Sequence, residues 1–400
     1  MTTRRGPLRW FARAAAMSVA AILVAACGSN SAGTADGGGA PATTTGHAAS
    51  HTSSPIAAPQ PLRAGERFLD LTVSRPYTPS PPAGGTDEYR CMVIDPRLTT
   101  PTFLTGSQFR PQNEPIVHHA IVFAIPSGDA ATARAKDAET EAEGWTCFGD
   151  TNLDGQQEPA WVDTWTPGAT ETLLQHDVGF RLEPGSLLVL QVHYNLLATG
   201  GSPAGADQSS VRLRLTDGTA ATKPLETLQL SAPIELPCAD GESGPLCDRT
   251  AAIADVTQRF GAEVGDSAAK LVGACSNGTP VPGNTQHCDI PVPVPITMYA
   301  AFGHMHLLGR SITVELNPGA PGARTLLDVP AFDFDDQRLQ VLPTPIDAQP
   351  GDTLRVTCTH DATLRQQLPQ LSGLPPRYVV WGDGSSDEMC LGLLTATIND

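Results

Sequence analysis

From about Leu62 onward, the apolar residues come in short runs, several of them alternating with polar residues, and Pro, Gly, Asp or Asn cuts off each run. Examples are "RFLDLTV", "HHAIVFAI", "SLLVLQVHYNLL", "VRLRL", "ITMYAAF", "SITVEL", "TLRVTC" and "RYVVWG". Runs of this kind fit strands that lay one face on a core, and their number predicts an all-β chain built as a sandwich or barrel. One helical pattern, "ATARAKDAETEAEGW", is expected to decorate a loop.

The 400 residues suffice for two ordinary domains. A formal charge of -17 sets the chain against nucleic acid as a partner. Residues 1–27 read as an address: an arginine-bearing start, the run "AAAMSVAAILVAA", too short to span a bilayer, and then Cys27. "VAAC" resembles the lipobox of bacterial lipoproteins, which implies cleavage before Cys27, its lipidation, and a protein exported and anchored to the extracytoplasmic side of a membrane. The alternative is plain secretion after cleavage at an A-x-A site. Residues 28–61 hold almost no large apolar side chain and are expected to form a flexible linker in which His47 and His51 are solvated. A polar stretch, Asp217–Thr227, is the expected changeover between domains of residues 62–220 and 221–400.

Eight cysteines remain after Cys27, an even number without a C-x-x-C spacing, so disulfides are expected rather than thiolate metal sites. Four of them, Cys238, Cys247, Cys275 and Cys288, fall in a region with few strand signals, expected to be a loop insertion stapled by its own bridges, with the pairing open.

Histidine is then the residue to follow. His118, His119, His193, His304 and His306 sit inside strand-like runs. Residues i and i+2 of a strand share a face, so His304 and His306 project together beside Phe302, and Met305 points the other way. In "LVLQVHYNL", Val189, Gln191, His193 and Asn195 share one face, toward a cleft; Leu188, Leu190, Val192, Tyr194 and Leu196 form the core face. His118 and His119 are adjacent and can share a metal only if the strand ends, twists or bulges there.

"VHHAIVF", "VLQVHYN", "GHMHLLG" and "SSDEMC" occur in an order and at spacings that resemble the copper type II, ascorbate-dependent monooxygenases, over about residues 85–400. The resemblance implies two antiparallel β-sandwich, jelly-roll-like domains facing a water-filled cleft, each with one copper. It assigns His118, His119 and His193 to an electron-transfer copper, and His304, His306 and Met389 to a catalytic, O2-binding copper. Ascorbate would be the reductant, with O2 and a small molecule as substrates. It also implies that Cys390 pairs with Cys358 and Cys91 with Cys147. The ligand types suit this chemistry: imidazole holds copper in both oxidation states, and a thioether favours Cu(I).

Peptide-processing members of that family clamp a substrate carboxylate with an arginine, an asparagine and a tyrosine where this chain has Phe302, Leu391 and Leu393. The expected substrate pocket is therefore apolar, with Gln191 as a further candidate, and a small, largely apolar or aromatic substrate is expected. The alternative is a non-catalytic copper-binding lipoprotein on the same scaffold.

Overall fold

Each half of the chain closes as antiparallel sheets, apart from one short parallel pairing of Lys223–Pro224 with Val178–Gly179. The computed structural model describes residues 57–81, 87–147, 151–153, 159–196, 205–334, 336–369 and 371–399. The signal sequence, Cys27, His47 and His51 lie outside the described residues. Residues 57–61, assigned to the linker by composition, run against the first half instead: Arg214 donates to the carbonyls of Gln60 (2.7 Å) and Pro61 (3.1 Å), and Gln108 to that of Ala57 (2.7 Å).

The first half contains β1 (Glu66–Thr72), β2 (Asp87–Ile94), β3 (Thr102–Arg110), β4 (Val117–Ile125), β5 (Trp145–Thr146), β6 (Ala160–Trp165), β7 (Thr172–Leu173), β8 (Val178–Leu182), β9 (Leu187–Asn195), β10 (Ser210–Thr216) and β11 (Lys223–Pro224). One sheet runs β1–β10–β3–β8–β11 with β7 on β3, and the other runs β5–β2–β9–β4–β6. Leu104, Phe109, Phe180 and Leu213 of the first sheet share a core with Met92, Val122 and the expected inner face of β9, Leu188 to Leu196. Each such side chain contributes roughly 1.5–3 kcal/mol on burial, which makes the pair of sheets a sandwich.

The second half contains β12 (Glu226–Ser231), β13 (Glu235–Leu236), β14 (Thr285–Pro291), β15 (Ile296–His304), β16 (Gly309–Leu316), β17 (Arg324–Val329), β18 (Gln340–Ala348), β19 (Thr353–His360), β20 (Val379–Val380) and β21 (Leu391–Ile398). Its sheets run β12–β21–β15–β18 and β14–β19–β16–β17, with a short β13–β20 pair. Gly303 and Gly392 are cross-strand partners. A Cβ on Gly303 would lie 2.7 Å from Ile312, and one on Gly392 would lie 2.8 Å from Val314, so these two positions let the sheets approach directly beside His304.

No strand of one half pairs with the other among the described residues, and Leu225 stands between the last strand of the first half and the first strand of the second. The halves belong to one compact unit. Tyr299 marks their seam: the β15 register shifts between Met298 and Ala300, and the extra residue turns its ring into the core of the first half.

Helices occur as α1 (Ala130–Asp137), α2 (Arg249–Phe260), α3 (Ala262–Ser276) and α4 (Leu364–Gln367). The first lies at the start of the expected helical pattern. The second and third correct the expected loop insertion: Asp248 caps α2 by accepting from Ala251 N–H at 2.9 Å, Gly261 separates the two helices at φ 97°, and Asn277 ends α3 in the left-handed region. Val256 and Ala268 pack with Tyr378 and Val380, so tertiary burial stabilises a hairpin whose sequence shows no strand alternation.

Disulfides join Cys91–Cys147, Cys238–Cys247, Cys275–Cys288 and Cys358–Cys390. The first and last are the pairs that the family resemblance implies. Cys358–Cys390 closes 32 residues and Cys238–Cys247 only 9. Replacing Cys358 and Cys390 together by Ala is expected to lower unfolding stability by about 2–4 kcal/mol, more than the same change at Cys238 and Cys247. Urea midpoints of the two double variants test this, and the reverse order would contradict it.

Candidate metal centre

The strand β9 runs between β2 and β4, which places His193 opposite both Tyr89 and His119. Val117 pairs with Tyr194 and His119 with His193, so His118 is the extra residue of a β-bulge. The bulge resolves the difficulty of two adjacent histidines: the strand breaks its alternation for one residue, and both rings turn to one side. The three Nδ1 atoms lie 3.1, 3.2 and 3.3 Å apart. A point equidistant from them is roughly 1.9 Å from each, close to the ~2.0–2.1 Å of a metal–imidazole bond.

Protons cannot satisfy that triangle. A neutral imidazole nitrogen that donates has no lone pair with which to accept, so at least one edge is repulsive. A cation at the centre would satisfy all three, and among the described residues this is the His/Cys/Asp/Glu group with metal-binding spacing. All three rings are buried, and Tyr89 stacks on His193 at 4.0 Å with an interplanar angle of 5°. Burial, reinforced by the neighbouring imidazoles, holds the His119 pKa well below its ordinary value, so the ring stays neutral and ready to ligate.

The second set grows from the end of β15. His304 pairs with Leu391, two residues after Met389. The two rings are 5.1 Å apart at 81°, and Met389 is buried. His304 Nδ1–H donates to Gln337 Oε1 at 2.7 Å, and His306 Nδ1–H to the Asp387 carbonyl at 3.3 Å. Both bonds leave Nε2 with its lone pair, the tautomer a metal requires. Burial, then the His306 charge, lowers the His304 pKa to about 3.

Glu388 braces this turn. Its carboxylate is fully buried and accepts from the backbone N–H of Leu308 (2.6 Å), His306 (2.9 Å) and Met389 (3.2 Å), and His360 lies 3.4 Å away. Burial acts to raise the Glu388 pKa, but His360 and His306 outweigh it and hold the group below the usual carboxylate value. Asp387 is gripped by Arg259 at 2.6 and 2.7 Å and by Arg377 at 3.2 Å, so α2 fixes the segment leading to Met389.

Phe334 links the two sets. Its ring centroid is 5.3 Å from His118 and 6.3 Å from His306, and its carbonyl accepts from Gln337 Nε2 at 2.8 Å. At this point of the seam one aromatic ring lies within reach of both histidine sets.

Phe302, Leu391 and Leu393 form one apolar cluster together with Trp161, Leu339 and Trp381. Gln191 is not among them. It shares the His193 face, as alternation required, but that face is covered too, and its amide lies 3.5 Å from Cys147 Sγ. The pocket assignment of Gln191 is thereby replaced by packing on the Cys91–Cys147 bridge. Met305 is fully buried, while His176 and His287 are exposed. The sequence did not single out Tyr89, Phe334 or Gln337. For Glu388 the one local signal is an acid directly before Met389; the others depend on register and loop placement.

Residues 283–395 match the family described as "Copper type II ascorbate-dependent monooxygenase, C-terminal domain". That span contains His304, His306 and Met389. No curated protein matches the sequence. Solved structures with some similarity include the major capsid protein P2 from Bacteriophage PM2, at 10% identity and TM-score 0.28, covering 84% of this chain and 98% of that one. Another is allantoicase, at 11% identity and TM-score 0.17, covering 80% and 90%. Glu388→Gln is expected to weaken copper binding at His304, His306 and Met389 by roughly 10–100-fold and to leave the three-histidine cluster unchanged. Calorimetric copper titration reads both sites, and equal weakening at the two would refute a local brace.

Proposed function

We propose that the protein is a copper-dependent monooxygenase that hydroxylates a C–H bond of a small organic molecule, using O2 and a reductant such as ascorbate. The observation that carries this reading is the bulge at His118, which converts a strand with adjacent histidines into a three-nitrogen site facing a second histidine set within the family-matched segment. Copper in the two sets would supply one-electron transfer and O2 activation. His118, His119 and His193 would hold the electron-transfer ion, and His304, His306 and Met389 the ion at which O2 and substrate meet.

The protein's own work is orientation. Gln337 and the Asp387 carbonyl fix the His304 and His306 tautomers, Glu388 holds the backbone between them, and the Met389 thioether favours the reduced ion. The Phe334 ring packs near His118 of one set and His306 of the other. The purified protein is expected to bind two coppers per chain and to consume O2 only with ascorbate present. Met389→Ile should abolish that consumption while sparing the copper at the three histidines, as read by metal analysis and an oxygen electrode. One copper per chain, or copper without O2 uptake, would favour the non-catalytic copper-binding reading.

We also propose that the chain is exported and anchored through a lipid on Cys27. Four disulfides among the remaining cysteines support an oxidising compartment. Cys27→Ala is expected to move the protein from the membrane fraction to the soluble one and to remove the lipid mass; retention in the membrane would refute the anchor.

A further inference from the structure

A buried arginine needs acceptors for its N–H groups and a counter-charge, because its guanidinium cannot shed its proton inside a protein. Arg214 in the first half is met in full. Its side chain is closed to solvent and donates to the carboxylates of Glu66 (2.8 Å) and Glu171 (2.8 and 3.0 Å) and to the carbonyls of Gln60 and Pro61. Arg365 in the second half is buried almost as deeply, at 2% exposure, and is met by no protein group. Its Nε, Nη1 and Nη2 are all closed to solvent, and none of the three has a hydrogen-bond partner.

Arg365 lies in α4, within the stretch "DATLRQQL" that follows β19. Leu364, Leu368 and Leu371 of the same stretch are buried too, so the arginine enters the interior with an apolar turn of chain. The carboxylates that act on it from a distance, Glu242, Asp387 and Glu388, are engaged elsewhere. Asp387 accepts from Arg259 and Arg377, and Glu388 from three backbone N–H groups. Glu242 accepts from Ala239 N–H at 2.9 Å and from Gln366 Nε2 at 3.3 Å.

The remaining charge that acts on Arg365 is a second cation, Arg377. Nη1 of Arg377 donates to Asp255 at 2.9 Å and to Asp387 at 3.2 Å, while its Nε is buried without a partner. Burial, then the Arg377 charge, lowers the Arg365 pKa, the sign of a cation without a close counter-charge. Two guanidinium groups within electrostatic reach of each other thus keep unmet donors in the interior. Water could accept from these N–H groups but would leave the charge uncompensated. The carboxylate or phosphate of a larger molecule would need an opening, and these nitrogens have none; a monatomic anion needs no room for the rest of a ligand.

We infer that Arg365 and Arg377 form a binding site for a halide-class anion, chloride, inside the second half. The anion supplies the counter-charge that the fold omits and ties α4 to the segment holding Asp387, two residues before Met389. The site does not depend on copper, so metal-free protein tests it. Titrated with sodium chloride against sodium gluconate at constant ionic strength, the wild type is expected to show a saturable rise in Tm of about 2–4 °C. The chloride NMR line should broaden over the same range and sharpen again when bromide displaces the ion. Arg365→Met, which puts an apolar chain of similar length in place of an unpaired charge, should fold and lose both responses. Should it fail to fold, Arg365→Lys decides, because an ammonium with fewer donors is expected to raise the chloride midpoint about tenfold. No saturable response in the wild type, a saturable response that survives in folded Arg365→Met, or an unchanged midpoint in Arg365→Lys would overturn the inference. A linear salt effect of equal size in all three proteins would do the same, since it marks a general action of salt on stability.

Discussion

An imidazole buried in a β-sandwich has two ring nitrogens that water cannot reach, and the arrangement of both halves follows from how those nitrogens are met. At the second set the answer is protein: Gln337 and the Asp387 carbonyl take the Nδ1 protons of His304 and His306. At the first set three Nδ1 atoms instead converge on each other, an arrangement that protons cannot satisfy and a cation can. The support extends outward from there. Glu388 is held by three backbone N–H groups, Asp387 by two arginines, and one of those arginines belongs to a helix that the strand pattern alone gives no reason to expect.

Departures from regular strand geometry position the chemistry. An unbroken β4 would send His118 and His119 to opposite faces, an unbroken β6 would re-aim Trp161, and an unbroken β15 would keep Tyr299 out of the other half's core. Each bulge costs some ladder hydrogen bonding and is held by packing on the neighbouring strands. The three sit on strands that either carry histidines or pair with one that does, so the local irregularity is transmitted over a short distance to the site.

Much of this was legible residue by residue. The alternation in "LVLQVHYNL" identified the core face of β9 correctly, because a period of two is a local property. The His304 and His306 rings lie 5.1 Å apart although β15 ends at His304, so strand alternation reaches only the first of them. Gln191 went astray because alternation tells which face a residue takes but not what covers that face; here the Cys91–Cys147 bridge does. The hairpin of α2 and α3 was not visible in the strand pattern, since its stability comes from packing on Tyr378 and Val380 far along the chain.

What the sequence by itself determined is the all-β architecture, the identity of the clustered histidines and the apolar character of Phe302, Leu391 and Leu393, because periodicity and side-chain chemistry are carried by neighbouring residues. What only the tertiary structure decided is the convergence: which residue bulges, that Glu388 turns inward, that Phe334 lies within reach of both sets, and that Trp161 of one half packs against Phe302 of the other. These depend on strand register and on loops arriving from more than a hundred residues away, and no local pattern encodes a distance across the fold.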